Sequence, residues 1–248
     1  LEADPPAPED PTEISVHANT GVAQLKQRRL YSFLTALAVC AFAPAAMRGS
    51  TLFSDLGPAG DVYNDTSENF GVTGSASTTG TSTDWATEFV VSGTGSLTVT
   101  GIDIAVSNVS GADTFFASIL TDNSGVPGAE VANAYWSLST STAFGTCCGL
   151  VSITGITGVS LTGGQVYWMV LGPLSLSDNS YNVWDAESQN VPSKAVSSTN
   201  GGSTWSSGAI TLVPAFDITS SPEPATWPML LALAGAGLWW RLRQRSAA

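Results

Sequence analysis

Histidine is nearly missing from this chain, and positive charge is scarce. His17 is the single imidazole among 248 residues, and it lies upstream of an N-terminal apolar run. Imidazole is the commonest general base near neutral pH and a frequent zinc ligand. Downstream of that run, neither a Ser-His-Asp nor a Cys-His arrangement is available. Eight Lys and Arg stand against twenty Asp and Glu, giving a formal net charge of -12. Lys26, Arg28, Arg29 and Arg48 lie around the N-terminal apolar run, and Arg241, Arg243 and Arg245 close the chain. Lys194 alone remains between them. Phosphate backbones are held by clustered Lys and Arg, so nucleic-acid binding is excluded. Divalent cations, or neutral and cationic surfaces, are the partners such a field permits. No cofactor is expected.

Residues 50–220 also lack any sustained 3.6-residue apolar period. Ser, Thr and Gly dominate there, and short alternating apolar runs recur between turn residues. This pattern predicts an all-β domain, an antiparallel two-sheet β-sandwich of jelly-roll type with eight to ten strands. Strands are expected at 86–93, 96–107, 114–122, 130–139, 150–156, 165–172, 179–186 and 209–218. In "SLTVTGIDIAVS" the buried parity changes at Gly101, which predicts a bulge or bend. "NSGVPG", after Asp122, reads as a turn of type I or II.

The two ends differ from the body. Residues 1–24 are acidic and proline-rich, and they read as a disordered leader or as sequence upstream of the true start, near Val22 or Leu25. Residues 25–46 carry a basic stretch, an apolar run from Leu30 to Phe42 and the Ala43-Pro44-Ala45 step. Those are the three parts of a secretory signal peptide, cleaved after Ala45 or Ala46. A lipid anchor at Cys40 is disfavoured, because Val39 stands where a small residue is wanted. Residues 221–248 hold Pro222-Glu223-Pro224, an apolar run over about 225–240, and "RLRQRSAA". The run is about 16 residues, roughly 24 Å as a helix, slightly short of a bilayer core near 30 Å. Trp227, Trp239 and Trp240 stand at interfacial positions, and the arginines suit the cytoplasmic side. The domain is therefore expected between an N-terminal signal helix and a C-terminal transmembrane helix.

The order Pro-Glu-Pro, short apolar helix, arginine cluster resembles the PEP-CTERM sorting signal of Gram-negative bacteria. The resemblance covers residues 222–248. It implies recognition of Pro222, Glu223 and Pro224 by exosortase, a membrane-embedded cysteine transpeptidase-like enzyme, with cleavage nearby. Arg241, Arg243 and Arg245 become the cytoplasmic retention signal. The implied partners are signal peptidase, the general secretion machinery, exosortase and, transiently, the inner membrane. The implied destination is the cell surface or an extracellular matrix rich in polysaccharide. "TLFSDLGPAGDVYN", "ILTDNSGVPG", "LTGGQVYWMVL" and "GGSTWSSGAITLVPAFDI" resemble the choice-of-anchor domains that precede such tails. These are exported β-sandwiches whose shared motifs carry turns and core residues.

Within the body several constellations invite chemistry. Asp185 and Glu187 beside Trp184, with Asp178 nearby, form a paired-carboxylate motif of the glycosidase kind. Asp84 and Glu88 beside Trp85 form a second. Both are outweighed by the ordinary reading of surface carboxylates on an acidic domain. Trp168 and Trp136 read as core residues, whereas Trp184 and Trp205 sit in polar contexts and are the candidates for sugar stacking. Asp122 and Asn123 suggest calcium but lack the alternating acidic ligands of a calcium loop, and no metal site is expected. Adjacent Cys147 and Cys148 are candidates for a disulfide in an oxidising compartment or for cross-links to another chain. The sequence thus reads as a non-enzymatic exported envelope protein. A carbohydrate-binding module is the alternative, and a cryptic glycoside hydrolase is the more remote one.

Overall fold

The computed structural model describes residues 50–64, 70–206 and 212–220. The leader, the signal peptide with Ala43 and Ala45, and Cys40 lie outside the described residues. So do Pro222, Glu223, Pro224, Arg241, Arg243 and Arg245. The described residues form thirteen strands and no helix, and every ladder is antiparallel. No described helix is therefore long and apolar enough to cross a membrane.

The described strands form three sheets where two were expected. The first runs β1 (Ser50–Ser54), β13 (Phe216–Ser220), β4 (Ser96–Ile104), β8 (Val151–Thr154), with β9 (Ser160–Thr162) paired to the start of β4. The second runs β12 (Ala195–Ser198), β3 (Asp84–Val90), β10 (Val166–Gly172), β6 (Thr114–Asp122), β7 (Pro127–Ser139). The third is β2 (Phe70–Thr73), β11 (Tyr181–Trp184), β5 (Val106–Ser110).

The extra sheet arises because one run of chain changes partners. The expected strand 96–107 is divided at Ala105, where β4 gives way to β5. Ala105 N–H donates to Ala215 O (3.1 Å), and Ala105 O accepts from Asp185 N–H (2.9 Å). Ala215 N–H in turn donates to Asp185 O (2.9 Å). At this three-way junction the chain leaves β13 and takes up β11. All the backbone groups involved stay paired, as burial requires.

The main core draws on all three sheets. Val99, Ile102, Ile104, Leu161 and Ile218 come from the first, Phe89, Phe115, Ile119, Met169 and Leu171 from the second, and Phe70, Val72 and Trp184 from the third. Alternation explains the choice: in β6 Phe115, Ala117 and Ile119 face this core, while Phe116 and Leu120 pack on a smaller cluster around Trp168. In β4 the buried parity passes from Val99 to Ile102 and Ile104. The register against β13 slips there, Ser220 facing Val99 and Thr219 facing Gly101, so the bulge falls at Thr100 beside the expected glycine. The β6–β7 turn has Ser124 and Gly125 at φ 58° and 86°, with Asn123 N–H donating to Val126 O at 2.8 Å. Two consecutive left-handed residues are the mark of a type I′ hairpin rather than the expected type I or II.

Candidate functional site

The two tryptophans expected to stack a sugar do not share a surface. Trp184 ends β11 and is fully buried in the main core, its Nε1–H donating to Ala215 O (3.0 Å) and its ring meeting Phe216 edge-on at 5.9 Å. The polar letters around it misled, because Asp185 and Ser180 are buried too. Trp205 is half-buried over the second sheet, packed on the cluster of Ala86, Trp168, Val170 and Val196. Across the same face Tyr135 stacks on Phe116 at 5.3 Å, and Tyr135 is among the exposed aromatics. Trp168 is buried and Trp136 is half-buried against the main core.

The carboxylate motifs separate in the same way. In β3 Trp85 packs toward the main core and gives its Nε1–H to Gly71 O (3.1 Å), while alternation turns Asp84 and Glu88 to the opposite face. Asp84 is 1% exposed. Burial raises its pKa to about 6, and the Gly202 N–H, itself donating to Ser198 Oγ at 2.9 Å, offsets this only in part. Asp178 serves its own turn, accepting from Ser180 N–H (3.0 Å) and from Ser175 N–H (3.4 Å). Asp122 accepts from Trp168 Nε1–H (2.9 Å) and from Gly125 N–H (3.0 Å), which commits it to the hairpin. Lys194, the sole Lys or Arg among the described residues, bonds Gly125 O and lies 5.6 Å from the Trp168 ring centroid.

One acidic grouping is drawn together by the fold. The stretch Val213–Phe216, leading into β13, is flanked by two segments. On one side Asp55 N–H donates to Phe216 O (3.2 Å), and Phe216 N–H donates back to Asp55 Oδ1 (2.7 Å). On the other side Glu187 N–H donates to Val213 O (2.8 Å). Asp55, Asp185 and Glu187 are each 1% exposed or less. Asp185 accepts from the buried Ser107 hydroxyl (3.2 Å). Asp55 Oδ2 and Glu187 Oε1 are buried without a hydrogen-bond partner. Burial raises the Asp55 pKa well above the usual carboxylate range; the charges of Glu187 and Asp217 add to this, and the Phe216 N–H opposes it. Sequence reasoning missed Asp55 altogether. The only signal was an acidic residue directly after an apolar strand, at the edge of the Gly-Pro loop 57–60.

Glu187 borders a groove of about 390 Å³ lined also by Asp61, Tyr63, Asn64, Cys147 and Ser188. Cys147 and Cys148 are joined by a disulfide. Tyr63 pins that loop, its hydroxyl donating to Gly149 O (3.1 Å), and Cys148 packs against the small cluster of Tyr63, Ala105 and Ala215. Leu56 and Val62 cover the same cluster. Among the described residues no three His, Cys, Asp or Glu side chains converge as a ready metal cage. No protein-family model and no curated protein matches the chain.

Proposed function

We infer that this protein is an exported envelope or matrix component, carried through the inner membrane by its signal peptide and released by exosortase at Pro222-Glu223-Pro224. The observation that carries this reading is the three-part tail, set behind an acidic all-β body with a single Lys between its ends. The apolar run and the arginines then act as a transient anchor, and the body passes to the cell surface or to a polysaccharide matrix. The body forms a jelly-roll-like sandwich of two layers, the three-stranded sheet extending the first layer across the Ala105 junction. The Cys147–Cys148 disulfide supports an oxidising destination, since such bonds persist outside the reducing cytosol. The role is structural or adhesive, with no chemistry assigned to the body.

Replacing Pro222, Glu223 and Pro224 together by Ala tests the reading in the native host. The altered chain is expected to accumulate at full length in the inner membrane, while the unaltered one leaves it. Unchanged fractionation of the two would overturn the assignment.

A further inference from the structure

Three segments far apart in the chain wall the groove beside the disulfide, and hydrogen bonds fix them to one another. Asn64 N–H donates to Ala186 O (2.8 Å), and the Ser188 hydroxyl donates to Asp61 O (2.9 Å), which locks loop 57–64 to the segment after β11. The Tyr63 hydroxyl holds the disulfide loop through Gly149 O (3.1 Å). Gly57 sits so deep in this corner that a Cβ on it would lie 1.9 Å from Asp61 O and 3.0 Å from Ser188 Oγ. The groove is thus preformed, and its volume of about 390 Å³ lies within the range of small-molecule sites. Glu187 forms part of its wall and is 1% exposed. One Glu187 oxygen accepts from Gln189 N–H, while Oε1 is buried with no hydrogen-bond partner. A buried acceptor left unpaired is costly, so a donor brought in through the groove meets an unfilled demand.

A groove of about 420 Å³ beside Asp113 lacks this feature, because polar side chains of its wall serve the chain itself. Asn108 Nδ2 donates to Asn182 Oδ1 (2.9 Å), and the Thr140 hydroxyl donates to Val106 O (2.5 Å). We propose that the groove beside the disulfide binds one sugar residue of a neutral polysaccharide, with a ring hydroxyl donating to Glu187 Oε1. The lining decides the class. Asp61 and Glu187 in its walls repel anions. Ser188 and Asn190 carry both donor and acceptor groups. Hydroxyls also do both, whereas an ammonium group only donates. Cys147 of the disulfide and Leu212 give the groove an apolar flank for the C–H face of a pyranose. The site is read from the body alone, so it stands or falls independently of the sorting tail.

The test uses the full-length chain in a non-glycosidic detergent and reads saturation-transfer NMR of the methyl glycosides of glucose, galactose, mannose and N-acetylglucosamine. At least one is expected to bind with a dissociation constant on the order of 1 mM, the usual reach of a ligand this small. Glu187→Gln keeps the shape while removing the charge, and it is expected to weaken that binding roughly tenfold or more. Asn190 holds φ 54°, a conformation that glycine adopts freely. Asn190→Gly therefore deletes the side chain without strain, and a loss of about threefold is expected. Asp113→Asn, at the other groove, is expected to leave binding unchanged. No transfer to any of these glycosides at about ten times that constant would overturn the site. That outcome is read on the unaltered chain and needs no variant to fold. Binding that survives both groove substitutions, or that is lost with Asp113→Asn alone, would overturn it equally. So would binding of ethanolamine in place of every glycoside, which would mark an amine site.

Discussion

Asp217 of β13 and Asp103 of β4 face one another across the first sheet, and Asp103 N–H donates to Asp217 Oδ1 at 3.2 Å. Like charges directly opposite destabilise a ladder. Burial raises the Asp217 pKa to about 6, the charge of Asp103 adds to this, and the Asp103 N–H partly offsets it. Asp217 also lies in the field of Asp55, and the Ser152 hydroxyl bonds Asp103 from β8. Between about pH 4, where an unfolded Asp ionises, and pH 6, the folded state holds the proton that the unfolded state has lost. Stability therefore falls as pH rises through that window, and the penalty persists at neutral pH. Asp217→Asn is expected to raise stability at pH 7 by about 1 kcal/mol, the pair being half-exposed and screened. The gain should vanish near pH 4. Thermal unfolding from pH 4 to 7.5 checks this, and a gain independent of pH would refute the electrostatic cause. At this scale the sequence hid most of what matters: Trp184 and Asp185 lie among polar residues in the chain, yet both are buried at the Ala105 junction.

Strands with strong alternation were legible as elements. The expected 114–122 coincides with β6, and 165–172 differs from β10 by one residue. β9 and β12 escaped because "SLT" and "AVSS" are short and carry small or hydroxyl side chains that show little period. β1 and β2, also unforeseen, have only four or five residues each. β7 is longer than its expected 130–139 and loses its alternation where the register shifts against β6 and Asn133 adopts φ 62°. Which strands pair was not legible at all, since β1 with β13 joins opposite ends of the body. The second sheet offers a test at the element level. A Cβ on Gly172, the last residue of β10, would collide with the Asp84 carboxylate and the Phe116 ring. Gly172→Ala is therefore expected to destabilise the fold by about 1–3 kcal/mol, the usual range for overpacking. Denaturant unfolding reads this directly, and an unchanged midpoint would show that the β3–β10–β6 face is looser than these contacts require.

For the whole molecule, charge and topology agree. The described part of the body carries Lys194 as its only Lys or Arg, so its field is acidic. Its described ladders are antiparallel, and its main core draws on all three sheets, the first and third of which meet at Ala105. Fold class was readable from alternation and turn chemistry. The junction was not, because it depends on main-chain bonds among Ala105, Asp185 and Ala215, which lie far apart in sequence. The proposed route is read from residue types and their order at the two ends of the chain. Everything proposed about that route depends on the tail being a processing signal. Intact mass measurement of the protein from its own host, after separating inner-membrane from surface fractions, decides the point. A surface form whose C-terminus falls near Pro222–Ala225 is expected. A chain ending at Ala248 and confined to the inner membrane would contradict it, and the tail would then be a permanent anchor.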